Sequence, residues 1–226
     1  MSETFEHPGR NRLLATLPTA DIDRITPLLR CEQLDHGAIL YRPNQPITTV
    51  YFPLTAMISM LTVFDVGNDG VAGLPIYFGV DSMTTECLIQ APGELLTMDA
   101  EIFRQEVQQP GPLRDIVGRY AQALFSQLAQ TAACNRAHPL EERFARWLLM
   151  THDRVGCDEL RITHEFLAQM LGVRRAGVTV AAGILQQAGI IAYRRGRVRV
   201  LDRERLEAAS CECYRSIRDE FDRLLG

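Results

Sequence analysis

Lysine is missing from this chain: all 24 basic residues are arginine. Arginine suits bidentate contacts to phosphate and guanine, but a whole chain without lysine reads first as the base composition of a genome. Long apolar runs are missing too. None approaches the ~18 residues of a membrane helix. The N-terminal MSETFEHPGRNR has no apolar signal-peptide core, so the expected location is cytoplasmic, with no membrane partner. No C-x-x-C pair occurs among the six cysteines, which excludes zinc-ribbon and thioredoxin-like readings. Reduced thiols are expected in the cytoplasm. The close pair Cys211-Glu212-Cys213 stands as a weaker redox or metal candidate. The histidines (His7, His36, His138, His152 and His164) are isolated in sequence, so no metal site and no cofactor is expected. Ser/His/Asp, HExxH and Walker patterns are absent, and an enzyme is not expected.

What is present is ordinary in bulk and uneven in distribution. A chain of 226 residues with 46% apolar and 23% charged content allows one to two globular domains. Net charge is −4, which by itself argues against nucleic acid. Yet residues 1–110 carry 6 Arg against 14 acids, whereas residues 161–200 carry 7 Arg and a single acid, Glu165. Positive charge is concentrated in one segment.

That segment is ITHEFLAQMLGVRRAGVTVAAGILQQAGII, residues 162–191. Thr163 fits an N-cap, Glu165 favours the first turn, and Phe166, Leu167, Met170 and Leu171 recur at helical spacing. Gly172 can end that helix in the left-handed region. A second helix opens with Arg174-Arg175, carries Val178, Ala181, Ala182 and Leu185 inward, and stops at Gly189. Two helices joined by a glycine turn, with arginines on the second, form a helix-turn-helix pattern. An ordinary αα-hairpin has the same outline. The residues after Gly189 favour DNA: Ile190–Tyr193 and Arg197–Leu201 read as strands around Arg194-Arg195-Gly196, the hairpin of a winged helix.

Upstream, residues 10–30 predict two short helices interrupted by Pro18 and Pro27. Between residues 31 and 100, short apolar runs (Ala38–Tyr41, Thr48–Phe52, Met57–Phe64, Thr85–Gln90, Glu94–Met98) alternate with turn residues, as in a β-sandwich or barrel. Residues 101–108 predict a short helix and Leu113 to about Asn135 a long one. Leu113, Val117, Tyr120, Leu124 and Leu128 form a stripe on the latter, read as a seam with a second copy of the chain. Helices are also expected over Leu140–Asp153 and Arg203–Leu225, the latter capped by Asp202.

This order resembles the Crp/Fnr family of bacterial transcription regulators. The helix pair is similar to the family's signature, and VYFPLTAMISML and GVAGLPIYFG look like its sensor domain. The resemblance implies an α+β fold: an N-terminal β-roll of the cyclic-nucleotide-binding jelly-roll type (1–110), a long dimerisation helix (111–136) and a C-terminal winged helix-turn-helix domain (137–226). It implies a homodimer on double-stranded DNA, with RNA polymerase as a candidate further partner. By position, Arg175 falls on the recognition-helix arginine that reads guanine, and Thr163 and His164 on backbone-contacting positions. Arg174 and Thr179 are replacements on the reading face, since the family's glutamate and second arginine fall at Ala176 and Val180. Gly177 would leave room for close approach to the DNA backbone. Arg194, Arg195 and Arg197 would meet phosphates.

The sensor departs from the family. Gly73-Leu74-Pro75 stands where cyclic-nucleotide members carry Gly-Glu, and Ser82-Met83-Thr84-Thr85 has no arginine. A buried phosphate without a positive partner is too costly, so cyclic AMP is not expected and the effector is unknown. The N-terminal cysteine cluster of iron–sulfur members is also absent. An alternative class is a small-molecule-binding β-barrel with an accessory helical domain.

Overall fold

The computed structural model describes residues 8–60 and 64–226, so His7 and the Leu61–Val63 part of the expected Met57–Phe64 strand lie outside the described residues. Two compact units result. One comprises the described part of Met1–Met60 with Asp65–Leu124 and Phe221–Gly226; the other is chiefly Phe125–Glu220.

In the first unit the two prolines limit the opening helices to α1 (Arg12–Ala15) and α2 (Thr19–Ile25). Asn11 caps α1 by accepting from the Leu14 amide, and its own amide donates to the carbonyls of Pro53 and Gly70. Seven strands follow: β1 (Arg30–Leu34), β2 (Ile39–Tyr41), β3 (Thr49–Pro53), β4 (Met57–Met60), β5 (Phe64–Val66), β6 (Cys87–Ala91) and β7 (Gly93–Asp99). They form two sheets, ordered β1-β7-β3 and β2-β6-β4-β5. Strand β1 has no apolar signal because nearly all its residues are exposed; pairing with β7, from Arg30↔Thr97 to Leu34↔Gly93, makes it a strand. Val50, Phe52, Met57, Ile58, Ile89, Leu95 and Leu96 are buried between these elements. Leu74–Tyr77 forms a short helix, α3. Asp99 caps α4 (Ala100–Gln108) by accepting from the amides of Glu101 and Ile102.

Helix α5 runs from Pro112 to Ala137, 26 residues or about 39 Å. Its predicted stripe meets a different fate from the one expected. Leu113, Val117, Tyr120 and Leu124 are buried within the single chain. The Tyr120 hydroxyl packs where a Gly70 side chain would begin, and its ring meets Phe221 edge-on. A seam through these four residues is therefore corrected: they complete the core of their own unit, and only Leu128 of the set is left half-buried.

In the second unit α6 (Leu140–Val155) precedes β8 (Glu159–Arg161), α7 (His164–Leu171), α8 (Arg175–Gln187), β9 (Ile191–Arg194) and β10 (Arg197–Val200). The small sheet is ordered β8-β10-β9. The expected final helix is two helices, α9 (Arg203–Ala208) and α10 (Cys213–Leu225). Asp202 caps the first by accepting from the Arg205 amide. The break follows where the Ser210 hydroxyl donates back to the Glu207 carbonyl, a local bond that competes with helix continuation.

Gly93 supplies a stability test. A Cβ there would lie 2.5 Å from the Ala56 nitrogen and 2.7 Å from the Thr55 carbonyl carbon. Both obstacles are backbone, so Gly93→Ala should destabilise the fold by roughly 1–3 kcal/mol, the cost of overpacking. The urea midpoint measures it, and an unchanged midpoint would contradict this close approach.

Candidate nucleic-acid interface

The reading head is built from local rules. Thr163 accepts from the Phe166 amide and starts α7, and Gly172 at φ 64° ends it. The chain turns and α8 begins at Arg175, with Arg174 at its N-cap making no side-chain cap bond and no acid in its first turn. Val178, Ala181, Ala182 and Leu185 bury into a core with Phe144, Leu148 and Leu149. The opposite face of α8 presents Arg175, Ala176, Thr179 and Val180 to solvent. A helix N-terminus carries about half a positive charge, so two arginines there oppose the dipole by roughly 0.3–1 kcal/mol each. Free amides plus guanidiniums at one point make a site for an anion.

Gly177 has a packing reason besides the one expected. A Cβ there would lie 3.0 Å from Leu140 Cδ2. The start of α6 packs on α8 at that point, which gives a packing reason for a small residue.

The hairpin tip uses two left-handed residues, Arg195 at φ 51° and Gly196 at φ 74°. Two such residues give the tight turn whose twist matches a two-stranded ribbon. Val198 and Val200 face the core, while Arg194, Arg195 and Arg197 are exposed. Arg197 donates to Glu159 at 2.7 Å, and both side chains are about half exposed. Such a pair contributes little and can exchange partners. Arg195 is the odd choice: a left-handed conformation costs a non-glycine residue about 1–2 kcal/mol.

His164 and Thr179, both expected at DNA, are joined to one another in the structure. The imidazole stacks on Tyr193, ring centroids 4.3 Å apart, and its Nδ1 lies 3.0 Å from Thr179 Oγ1. The Thr179 hydroxyl also lies 3.2 Å from the Arg175 carbonyl. His164 Nε2 is buried without a partner. Burial first, and the Arg175 charge second, push the His164 pKa below its ordinary value. Through these contacts the ring holds α7 against α8 and β9. Tyr193 completes the brace. Its hydroxyl donates to the Ile162 carbonyl and its amide to Gln186 Oε1. Burial raises the Tyr193 pKa, with Arg175 acting against that rise.

Val180, read from the sequence only as the position that lacks the family's second arginine, is 64% exposed beside Thr179. Sequence reading treated His138 as isolated and expected no metal site. In the structure Cys134, His138, Cys211 and Cys213 bring their ligand atoms within 4.8 Å of one another. The available signal was Cys134 and His138 at i and i+4 on one helical face.

Two paired helices followed by a hairpin, with arginine on both exposed elements, define a winged-helix DNA-binding domain. Residues 142–209 match the family model of the Crp-like helix-turn-helix domain. The chain is 23% identical over 195 residues to the global nitrogen regulator of Synechococcus elongatus, covering 77% of this chain and 86% of that one. The Synechocystis protein of the same name is 24% identical over 190 residues, covering 75% and 83%. A protein described as a Crp/Fnr-family transcriptional regulator, from Eubacterium rectale, shares the fold at TM-score 0.66 and 21% identity, covering 87% of this chain and 96% of that chain. FixK2 from Bradyrhizobium japonicum does so at 0.65 and 14%, covering 81% and 98%. Residues 142–209 thus form a Crp-like helix-turn-helix domain, the DNA-binding part of a transcription regulator, and the chain shares the fold of Crp/Fnr regulators.

Arg195 offers a test of site against fold. Arg195→Asn keeps a residue that tolerates the left-handed region and removes the charge. It should raise unfolding stability by about 1 kcal/mol while weakening DNA binding, both measured on one preparation. Lower stability would show that Arg195 is a structural choice.

Proposed function

We propose that the protein is a cytoplasmic, sequence-selective regulator that binds a two-fold symmetric DNA site as a homodimer. One observation carries the reading: α8 starts with two arginines, no acid and no side-chain cap, beside a hairpin tip with further exposed arginines. In this reading residues 1–110 sense, 111–136 connect and 137–226 bind DNA. Arg175 donates bidentately to a guanine, a contact that discriminates by about 1–3 kcal/mol. Ala176, Val180 and the Thr179 methyl face thymine methyls. Arg174, Arg194 and Arg195 meet phosphates, joined by Arg197 once it leaves Glu159, and the Thr163 hydroxyl adds a backbone contact. These supply affinity and salt dependence, not sequence information.

The dimer seam lies about a quarter-turn from the buried stripe of α5. Phe125 is 69% exposed there, flanked along the helix by Ala121, Leu128 and Ala132, none of them buried. RNA polymerase is a further partner in this reading. The sensor does not take cyclic AMP. Leu74, buried, stands at the start of α3 where a ribose-binding carboxylate is required, and residues 82–85 offer no arginine. Calorimetric titration with cyclic AMP should give no binding heat.

Two variant sets separate the roles. Arg175→Ala should relax preference at one base position by roughly 5–150-fold, the equivalent of 1–3 kcal/mol. Arg194→Ala should weaken all sequences alike and lower the salt slope by about 1. Equal effects on specific and random DNA would overturn the assignment. Phe125→Glu should convert the dimer to monomer by sedimentation, with the circular dichroism unchanged; a dimer that persists would overturn the seam.

A further inference from the structure

The end of α5 and the break before α10 meet within the second unit. Cys134 lies on the last turns of α5, and the His138 amide still bonds to the Cys134 carbonyl, so both side chains leave one helical face. Cys211 lies in the break and Cys213 is the first residue of α10. Cys134 Sγ is 3.5 Å from Cys211 Sγ, and Cys213 Sγ is 3.6 Å from His138 Nδ1. All three cysteines are free thiols, no more than 4% exposed.

We propose that Cys134, His138, Cys211 and Cys213 bind one divalent zinc ion. A tetrahedral zinc, with bonds of about 2.3 Å to sulfur and about 2.0 Å to nitrogen, sets its ligand atoms roughly 3.5–3.8 Å apart. The two close pairs already have that spacing, and the 4.8 Å spread of the full set is short for a multinuclear iron–sulfur cluster. Three thiolates and an imidazole are a ligand set of the softness zinc takes, and four protein ligands leave no open position, as in structural sites.

Two surrounding features belong with an ion rather than with a cysteine-lined core. The first is the outer contacts. His138 Nε2 lies 3.1 Å from Glu212 Oε1, so a ring that ligates through Nδ1 has a carboxylate behind it. Gln130 Nε2 donates to Cys213 Sγ at 3.0 Å. The second is charge. Arg143 and Arg146 are 8% and 4% exposed, and among the described residues neither forms an ion pair with a carboxylate. Each keeps its Nε without a hydrogen-bond partner. Both act electrostatically on the cysteines, Arg146 on Cys134, and Arg143 on Cys134 and Cys211. Buried cations require compensation. A zinc ion with three thiolates carries one net negative charge and supplies it. Binding replaces three S–H bonds with three Zn–S bonds and releases three protons to solvent.

The site is independent of the DNA assignment, so its test needs no DNA. Full-length reduced protein, stripped of metal, is titrated anaerobically with Co²⁺. The expected result is one ion per chain, intense visible bands of tetrahedral cobalt, a thiolate-to-cobalt charge-transfer band, and loss of both when Zn²⁺ is added. Cys31→Ser, outside the cluster, should leave them unchanged. Cys134→Ser should abolish or cut the charge-transfer band. His138→Cys keeps four ligands and should raise that band by about a third, which guards against loss by misfolding. Glu212→Gln, at a positioning residue, should weaken binding roughly 10–100-fold. Octahedral or absent cobalt bands, a brown iron chromophore in place of zinc, or a Cys134–Cys211 disulfide that forms in air while Zn²⁺ fails to protect the thiols would each overturn the proposal.

Discussion

A helix that opens with two arginines works against its own dipole, and the second unit depends on overcoming that opposition. Repulsion among Arg174, Arg175 and the helix amides contributes nothing to folding. Two glycines and the β-branched run Val178-Thr179-Val180 weaken α8 further. Stability comes from elsewhere, from the burial of Val178, Ala181, Ala182 and Leu185 against α6. Gly177 permits that burial, since Leu140 Cδ2 occupies the space a side chain would need. The unit thus holds an electrostatically strained end on a packed apolar base. The strain is relieved when an anion arrives, which couples a local defect of the fold to its use.

The outline was legible in the sequence because it rests on local rules. Thr163, Gly172 and Asp202 act where cap and turn chemistry places them, and the hairpin tip follows from Gly196 and its neighbours. Strand β1 was illegible, since its exposed residues carry no alternation and only pairing with β7 defines it. The stripe on α5 was legible as a stripe, but periodicity does not say what covers it. Tyr120 fits against Gly70 in its own unit, a match between residues 50 positions apart. At the site, side-chain type alone was insufficient. Nothing in residue type shows that His164 stacks on Tyr193 and bonds to Thr179. The cysteine group was hidden for the same reason, because its two halves are joined only by the fold.

The break between α9 and α10 shows how a small local competition shapes a distant feature. Ser210 turns its hydroxyl onto the Glu207 carbonyl, the helix stops, and the backbone reorients before Cys213. An uninterrupted helix would carry Cys211 and Cys213 to nearly opposite sides, about 200° apart at 3.6 residues per turn. The interruption lets both point to Cys134. Arg143 and Arg146, buried on the adjoining helix, act electrostatically on these cysteines.

Tyr193 has a consequence for how a signal can act. Through its hydroxyl, amide and ring it joins the hairpin to the start of α7, to α8 and to His164. Helix and hairpin are therefore one instrument with a fixed gauge. The distance between Arg175 and the hairpin tip cannot widen or narrow without breaking those contacts. In the proposed homodimer, control would be exerted by carrying the whole head to the groove or away from it, so two operators that differ in the spacing of their half-sites would be distinguished, whereas the bases within a half-site would be judged identically in every regulatory state.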